Sequence, residues 1–183
     1  MASPTAADVA LTFDDGPGAV TGALLDVLAR HGARATFFCV GEQIAGREPD
    51  LARAAREGHE LGVHGWVHED HRDDPDRRAD EAARTADALA AAAGIRPRLF
   101  RPPYGSTSPA LEAAIAARGM RTVLWDVDPR DWEDPGVEAI RARTLAALAP
   151  GAVVLLHERP DTVAAVDVIL GAGWRSVPVT PPG

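Results

Sequence analysis

The sequence predicts a single α/β domain built on a mostly parallel sheet. Seven short, β-favouring apolar runs alternate with six helical patterns from one end to the other. Glycines fall just past most of the helical patterns, where a chain leaves a helix through positive φ. The unusual polar residues follow the apolar runs, and parallel α/β folds gather their active sites at those C-terminal strand ends.

In chain order, Val9–Phe13 is the first strand and runs into Asp14-Asp15-Gly16-Pro17. Thr21–His31 is helical in pattern and stops at Gly32. Ala35–Val40 is the second strand and holds Cys39, expected to be a buried thiol. The pattern over Pro49–Glu57 ends at Gly58, and Glu60–His64 is the third strand. Pro75–Ala93 is alanine-rich, and its charges and flanks read as an exposed surface helix ending at Gly94. Leu99–Arg101 is the fourth strand. Pro109–Arg118 follows, with Ser108 as N-cap, Pro109 at the first helical position and Gly119 beyond its end. Thr122–Trp125, Val137–Leu148 and Ala152–Leu156 supply the fifth strand, a helix and the sixth strand. Thr162–Leu170, with Asp161 as expected N-cap and Gly171 at its end, leads to a last strand over Arg175–Val179.

A chain of 183 residues suits one domain, taken as 1–183, since there is no composition break, long linker or internal repeat. The net charge of −8 disfavours nucleic acid or an anionic membrane surface as partner, because both select a basic face. The single Cys39 excludes an intramolecular disulfide. No apolar stretch approaches the ~18 residues of a membrane span. Met1 to Asp8 has neither a basic start nor an apolar core, so no signal peptide is expected. The chain as given reads as cytoplasmic, or secreted if a leader has been removed.

Thr12-Phe13-Asp14-Asp15-Gly16-Pro17 places two aspartates side by side at a strand end, where like charges repel unless a cation or base lies between them. His64-Gly65-Trp66-Val67-His68 sets two imidazoles four residues apart in what reads as a loop, able to converge two ligands. Arg101-Pro102-Pro103-Tyr104-Gly105 is stiffened by two prolines, and its arginine could pair with a buried carboxylate. Asp128-Pro129-Arg130-Asp131-Trp132 offers carboxylates beside an aromatic, and Leu155-Leu156-His157-Glu158 ends an apolar strand on a histidine. Each taken alone is also compatible with an ordinary turn or a structural histidine. His71 is expected to be solvated surface, and His31 and His59 to be capping or surface residues.

Taken together and in this order, the motifs resemble the polysaccharide deacetylase family (the NodB homology domain, carbohydrate esterase family 4), over about Val9 to Val179. Thr12–Pro17 matches the family's TFDDGP throughout, a six-residue string recurring by chance on the order of once in 10⁷ positions. The resemblance implies a distorted (β/α)7 barrel and one divalent metal, Zn²⁺ first with Co²⁺ or Ni²⁺ as alternatives, held by Asp15, His64 and His68. It implies Asp14 as general base paired with Arg101, and His157 as general acid held by Asp131. The backbone N–H of Tyr104, in the loop with Pro103, would stabilise an oxyanion, and Leu155 and Trp132 would line a pocket for the acetyl methyl.

The chain departs from the family at three positions. Gly65 stands where the family usually has a hydroxyl residue that helps hold the metal loop, Val63 where it commonly has Asn, and Glu158 where it has Asp. The implied activity is removal of acetyl groups from N-acetylated sugars: peptidoglycan, chitin-type oligomers or a small amino-sugar metabolite. The alternatives are an O-acetyl esterase or cyclic amide or ureide hydrolase on the same fold, and a non-catalytic carbohydrate-binding relative.

Overall fold

The computed structural model describes residues 8–70 and 74–180. Seven strands are formed: β1 (Asp8–Gly16), β2 (Thr36–Cys39), β3 (Glu60–Val63), β4 (Leu99–Phe100), β5 (Arg121–Thr122), β6 (Val153–His157) and β7 (Arg175–Ser176). Between them lie α1 (Thr21–Arg30), α2 (Glu48–Arg56), α3 (Pro75–Ala93), α4 (Pro109–Ala117), α5 (Val137–Ala147) and α6 (Pro160–Gly171). Every strand pairing is parallel, in the order β5-β4-β3-β2-β1-β6, with β7 paired to the start of β1. Beyond β5 the chain returns to β6 through one parallel bridge, Val127 to Val154, with Leu155 N–H donating to Val127 O at 2.9 Å. The curled sheet thereby meets its own edge, giving the expected distorted (β/α)7 barrel.

β1 is buried on both faces, Val9, Leu11 and Phe13 on one and Ala10, Thr12 and Asp14 on the other, because helices cover it outside and the packed barrel inside. The Phe13 and Phe37 rings lie 5.3 Å apart. β4 stops at Arg101-Pro102 because proline has no N–H to give a ladder, and Pro178 likewise ends the last run short of Val179.

Four expectations are corrected. Helix α3 is no free surface helix: Arg78, Ala79, Ala82, Thr85, Ala86 and Leu89, at helical spacing, are buried against β3, α2 and α4. Small side chains let its backbone approach closely, which the alanine-rich composition disguised. Asp161 is not a cap, since α6 starts at Pro160 after Arg159; it lies in the first turn, where a carboxylate complements the helix dipole. Gly171 remains helical, and Gly173 at φ +96° makes the exit turn. His59 is buried: its Nδ1 accepts from Ala35 N–H at 3.1 Å, its ring meets Phe37 edge-on, and burial lowers its pKa to about 4.

Ser108 caps α4 as expected, accepting from Leu111 N–H at 3.2 Å. Cys39 is buried, its thiol pushed well up by burial, and His31 pairs at the surface with Asp167. His71 lies outside the described residues. Among the described residues, no helix is long and apolar enough to cross a membrane.

Candidate active site

The C-terminal strand ends enclose a cleft of about 430 Å³, lined by Asp14, Asp15, His64, His68, Pro102, Tyr104, Gly105, Trp125, Asp128, Trp132, Leu155 and His157. The barrel sets their relative positions. Asp14 at the end of β1 is in direct register with His157 at the end of β6, so these two side chains start from adjacent strands. His64 begins the segment after β3, and Arg101 the segment after β4.

The two aspartates are not separated by simple strand alternation. Asp15 takes φ +68°, a left-handed conformation uncommon for a residue with a Cβ, and the β1–β2 register shifts between Phe13 and Gly16. Asp14 stays buried while Asp15 turns toward the histidines.

Asp15, His64 and His68 form a group able to hold a metal ion, each offering one ligand atom and all three atoms lying within 4.8 Å of one another. Asp15 Oδ1 is 3.5 Å from His64 Nε2 and 3.3 Å from His68 Nε2, and it is a buried oxygen without a hydrogen-bond partner. His64 Nδ1–H donates to the Arg101 carbonyl at 2.7 Å, which leaves the Nε2 lone pair facing Asp15. A buried carboxylate oxygen without a hydrogen-bond partner, 3.5 and 3.3 Å from two imidazole nitrogens, is what a cation between them would satisfy, so the donors present fit one. Burial raises the pKa of Asp15, but His64, His68 and His157 outweigh it and hold the carboxyl below its usual value. Burial lowers that of His68. The rings of His68 and Tyr104 meet edge-on, 4.6 Å apart.

On one side of this group, Arg101 is fully buried and donates Nη1–H to Asp14 Oδ1 at 2.8 Å and to Thr12 Oγ1 at 2.7 Å. Its remaining donors reach the carbonyls of Val123 and Leu124, at 3.2 and 2.9 Å, and its guanidinium carbon lies 4.1 Å from the centre of the Phe38 ring. Four acceptors and an aromatic face hold the guanidinium, and through it Asp14 is held in place.

On the other side, His157 Nδ1–H donates to Asp131 Oδ1 at 2.7 Å, leaving Nε2 for the cleft. Asp131 Oδ2 accepts from His157 N–H and from Thr162 Oγ1–H, both at 2.7 Å. Burial works to lower the pKa of His157, but the Asp131 carboxylate, helped by Asp14 and Asp15, raises it above the ordinary value.

All eleven residues singled out from the sequence surround this one site, in two tiers. Asp14, Asp15, His64, His68, Tyr104, Trp132, Leu155 and His157 line the cleft. Arg101 and Asp131 stand behind it as buried partners, and Pro103 is also buried, with Pro102 at the wall instead. Trp125 was missed: it ends the fifth predicted strand, so the strand-end rule that selected the others points to it as well.

The departures have local accommodations. Gly65 takes φ +82°, where a Cβ would stand 2.9 Å from Val67 O. Val63 is a buried strand residue paired with Phe100. Glu158 reaches beneath the aspartate turn, where Oε2 accepts from Gly18 N–H at 3.2 Å and from the Thr21 hydroxyl. A Cβ on Gly16 would lie 1.8 Å from Glu158 Oε1, so the glycine leaves the room into which the longer acid extends. Burial raises the pKa of Glu158 to about 7.

A group able to hold a metal ion, a held carboxylate and a held imidazole on one cleft are the parts of a metal-dependent hydrolase. The chain belongs to the polysaccharide deacetylase family, whose sequence pattern matches residues 2–123. It is 42% identical over 153 residues to a chitooligosaccharide deacetylase of Bradyrhizobium sp. (strain ANU 289), covering 82% of this chain and 70% of that one. The solved structure of peptidoglycan deacetylase PdaC from Bacillus subtilis superposes with a TM-score of 0.88 at 33% identity, over 97% of this chain and 90% of that one. A family 4 carbohydrate esterase from Streptomyces lividans in complex with acetate gives 0.85 at 35% identity, over 96% and 94%.

Proposed function

We propose that this chain hydrolyses the N-acetyl group of amino sugars in chitin-type or peptidoglycan-type chains, with one Zn²⁺ ion held by Asp15, His64 and His68. A single observation carries the reading. The metal-ligating group, the Asp14–Arg101 pair and the His157–Asp131 pair all open on one cleft. One carboxylate and two imidazoles are the donor set of a catalytic zinc site, which leaves positions free for water and substrate. When bound, the cation supplies Lewis acidity toward the acetyl carbonyl and makes a water easier to deprotonate.

The chain's own groups do the rest. Asp14, fixed by Arg101, accepts the proton of the attacking water. Tyr104, at φ +59°, presents its backbone N–H to the oxygen on which negative charge develops. His157 delivers a proton from Nε2 to the departing amine, which leaves very poorly as an anion, while Asp131 steadies the imidazolium. Leu155 and Trp132 bound the space for the acetyl methyl. Tyr104 and Trp132 are 65% and 43% exposed at the rim, an arrangement suited to the apolar faces of sugar rings on a longer chain. The names of the relatives support the same substrate class.

The test is acetate release from N-acetylglucosamine oligomers, peptidoglycan, acetylated xylan and small amides, before and after chelation. The expected result is acetate from the N-acetylated sugars, abolished by chelation and restored by Zn²⁺. Turnover indifferent to chelation would sink the metal reading, and acetate from xylan alone would move the activity to O-acetyl groups.

A further inference from the structure

The metal-holding loop of this chain lacks a hydroxyl of its own, and the fold supplies one from elsewhere. We infer that Thr85, on α3, is a positioning residue that holds the segment between His64 and His68 in its ligating shape. The inference rests on the reading that those histidines are metal ligands.

The loop's carbonyls are held from two directions. Gly65 O accepts from Thr85 Oγ1–H at 2.8 Å and from Gly41 N–H at 3.1 Å, and Trp66 O accepts from Glu42 N–H at 2.9 Å. Thr85 is fully buried, and its hydroxyl proton is shared with the Glu81 carbonyl one turn back at 3.1 Å, the longer of the two contacts. The fit around it is close. A Cβ on Gly41 would come within 2.5 Å of both Thr85 Oγ1 and the Trp66 ring. The loop, the turn at Gly41 and the middle of α3 are therefore packed without spare room.

The buried face of α3 carries only one other polar side chain among Arg78, Ala79, Ala82, Thr85, Ala86 and Leu89. Arg78 donates to Ser106 O at 2.6 Å and to Asp70 Oδ1 at 3.2 Å. Those partners lie two residues past Tyr104 and two past His68. Both polar groups on this face are thus aimed at the loops that flank the cleft. A loop already held in its ligating shape loses less conformational freedom when a cation binds, so anchoring it raises affinity without touching the ion.

The test is Zn²⁺ affinity measured by competition with a chromophoric chelator, alongside thermal unfolding of the metal-free proteins. Thr85→Val keeps the shape and deletes the donor, while Gly65 O retains the Gly41 N–H. Its Kd should weaken by about tenfold, the lower end for loss of an outer-sphere partner. Thr85→Ser, which keeps the hydroxyl, should stay within about threefold of the wild type. A residue that merely fills space would leave affinity unchanged in Thr85→Val, and that result overturns the inference. So does a Thr85→Ser variant as weak as Thr85→Val. Should Thr85→Val fail to fold, Thr85→Cys, with only a weak S–H donor, takes its place under the same criterion. Wild-type protein that binds no Zn²⁺ overturns the metal site itself, whereas tight binding unaltered in Thr85→Val overturns only the role of Thr85.

Discussion

At His157 two opposing effects are settled by one carboxylate. Burial favours the neutral ring, yet Asp131, bonded to both the ring and the backbone of the same residue, holds the pKa above the ordinary 6.5. A cation at Asp15 would offset that residue's contribution and leave that of Asp131. Since the acid must be protonated, kcat/KM should fall on the alkaline side as pH rises through the His157 pKa. Asp131→Asn removes the charge, so that limb should move to lower pH by about one unit, with kcat reduced as well. Unmoved limbs in a pH profile of the variant would remove His157 from the role of acid. The residues of this pair were legible because they sit in motifs. The second contact, from His157 N–H to Asp131, was not, because it joins a strand end to a 3-10 turn 26 residues earlier. Asp15 marks the same limit: the doubled aspartate pointed to a cation, but a left-handed φ at a non-glycine residue leaves no sign in composition.

Among the elements, the long strands and helices were legible because their signals are local. Apolar runs, glycine exits and proline starts are written within a few residues of the boundary they set. The three short 3-10 turns, Gly41–Gln43, Pro103–Gly105 and Asp131–Glu133, were not anticipated, and each borders the cleft or its metal loop. They are too short for periodicity and depend on partners elsewhere in the chain. Helix α3 shows the converse failure. Its alanines carry little hydrophobic signal, so the face holding Thr85 and Arg78 against the catalytic loops could not be told from a solvated one. His59 was misread for a related reason, because proximity to a glycine suggested a surface turn while the sheet behind it decided burial.

Across the whole molecule, two buried groups set opposite pH dependences of stability in the metal-free protein. The pKa of His59 is lowered to about 4, so its contribution is fully present above the unfolded value of 6.5 and is lost as pH falls toward 4. That of Glu158 is raised to about 7, so its contribution is present below the unfolded value of 4.5 and is lost as pH rises through 7. Each shift corresponds to roughly 3 kcal/mol, and between about pH 4.5 and 6.5 they nearly cancel. In denaturant unfolding, His59→Gln should therefore gain stability relative to wild type on acidification through that window, and Glu158→Gln should lose it. Identical pH slopes in all three proteins would contradict the assignment.

The barrel brings Asp14 and Asp15 to one cleft and shares His64 Nε2 between them, at 3.7 and 3.5 Å, but only Asp14 is bonded to the Arg101 guanidinium and only Asp15 also faces His68. The central claim is that this difference separates a base from a metal ligand. Elemental analysis of dialysed variants, read beside their turnover, tests it most directly. Asp14→Asn should keep its metal while kcat falls at least ~10²-fold, the scale of a lost general base. Asp15→Asn should lose metal first and recover part of its activity in excess Zn²⁺. A metal-free Asp14→Asn beside a fully loaded Asp15→Asn would reverse the two roles, and unchanged metal and turnover in both would contradict the account altogether.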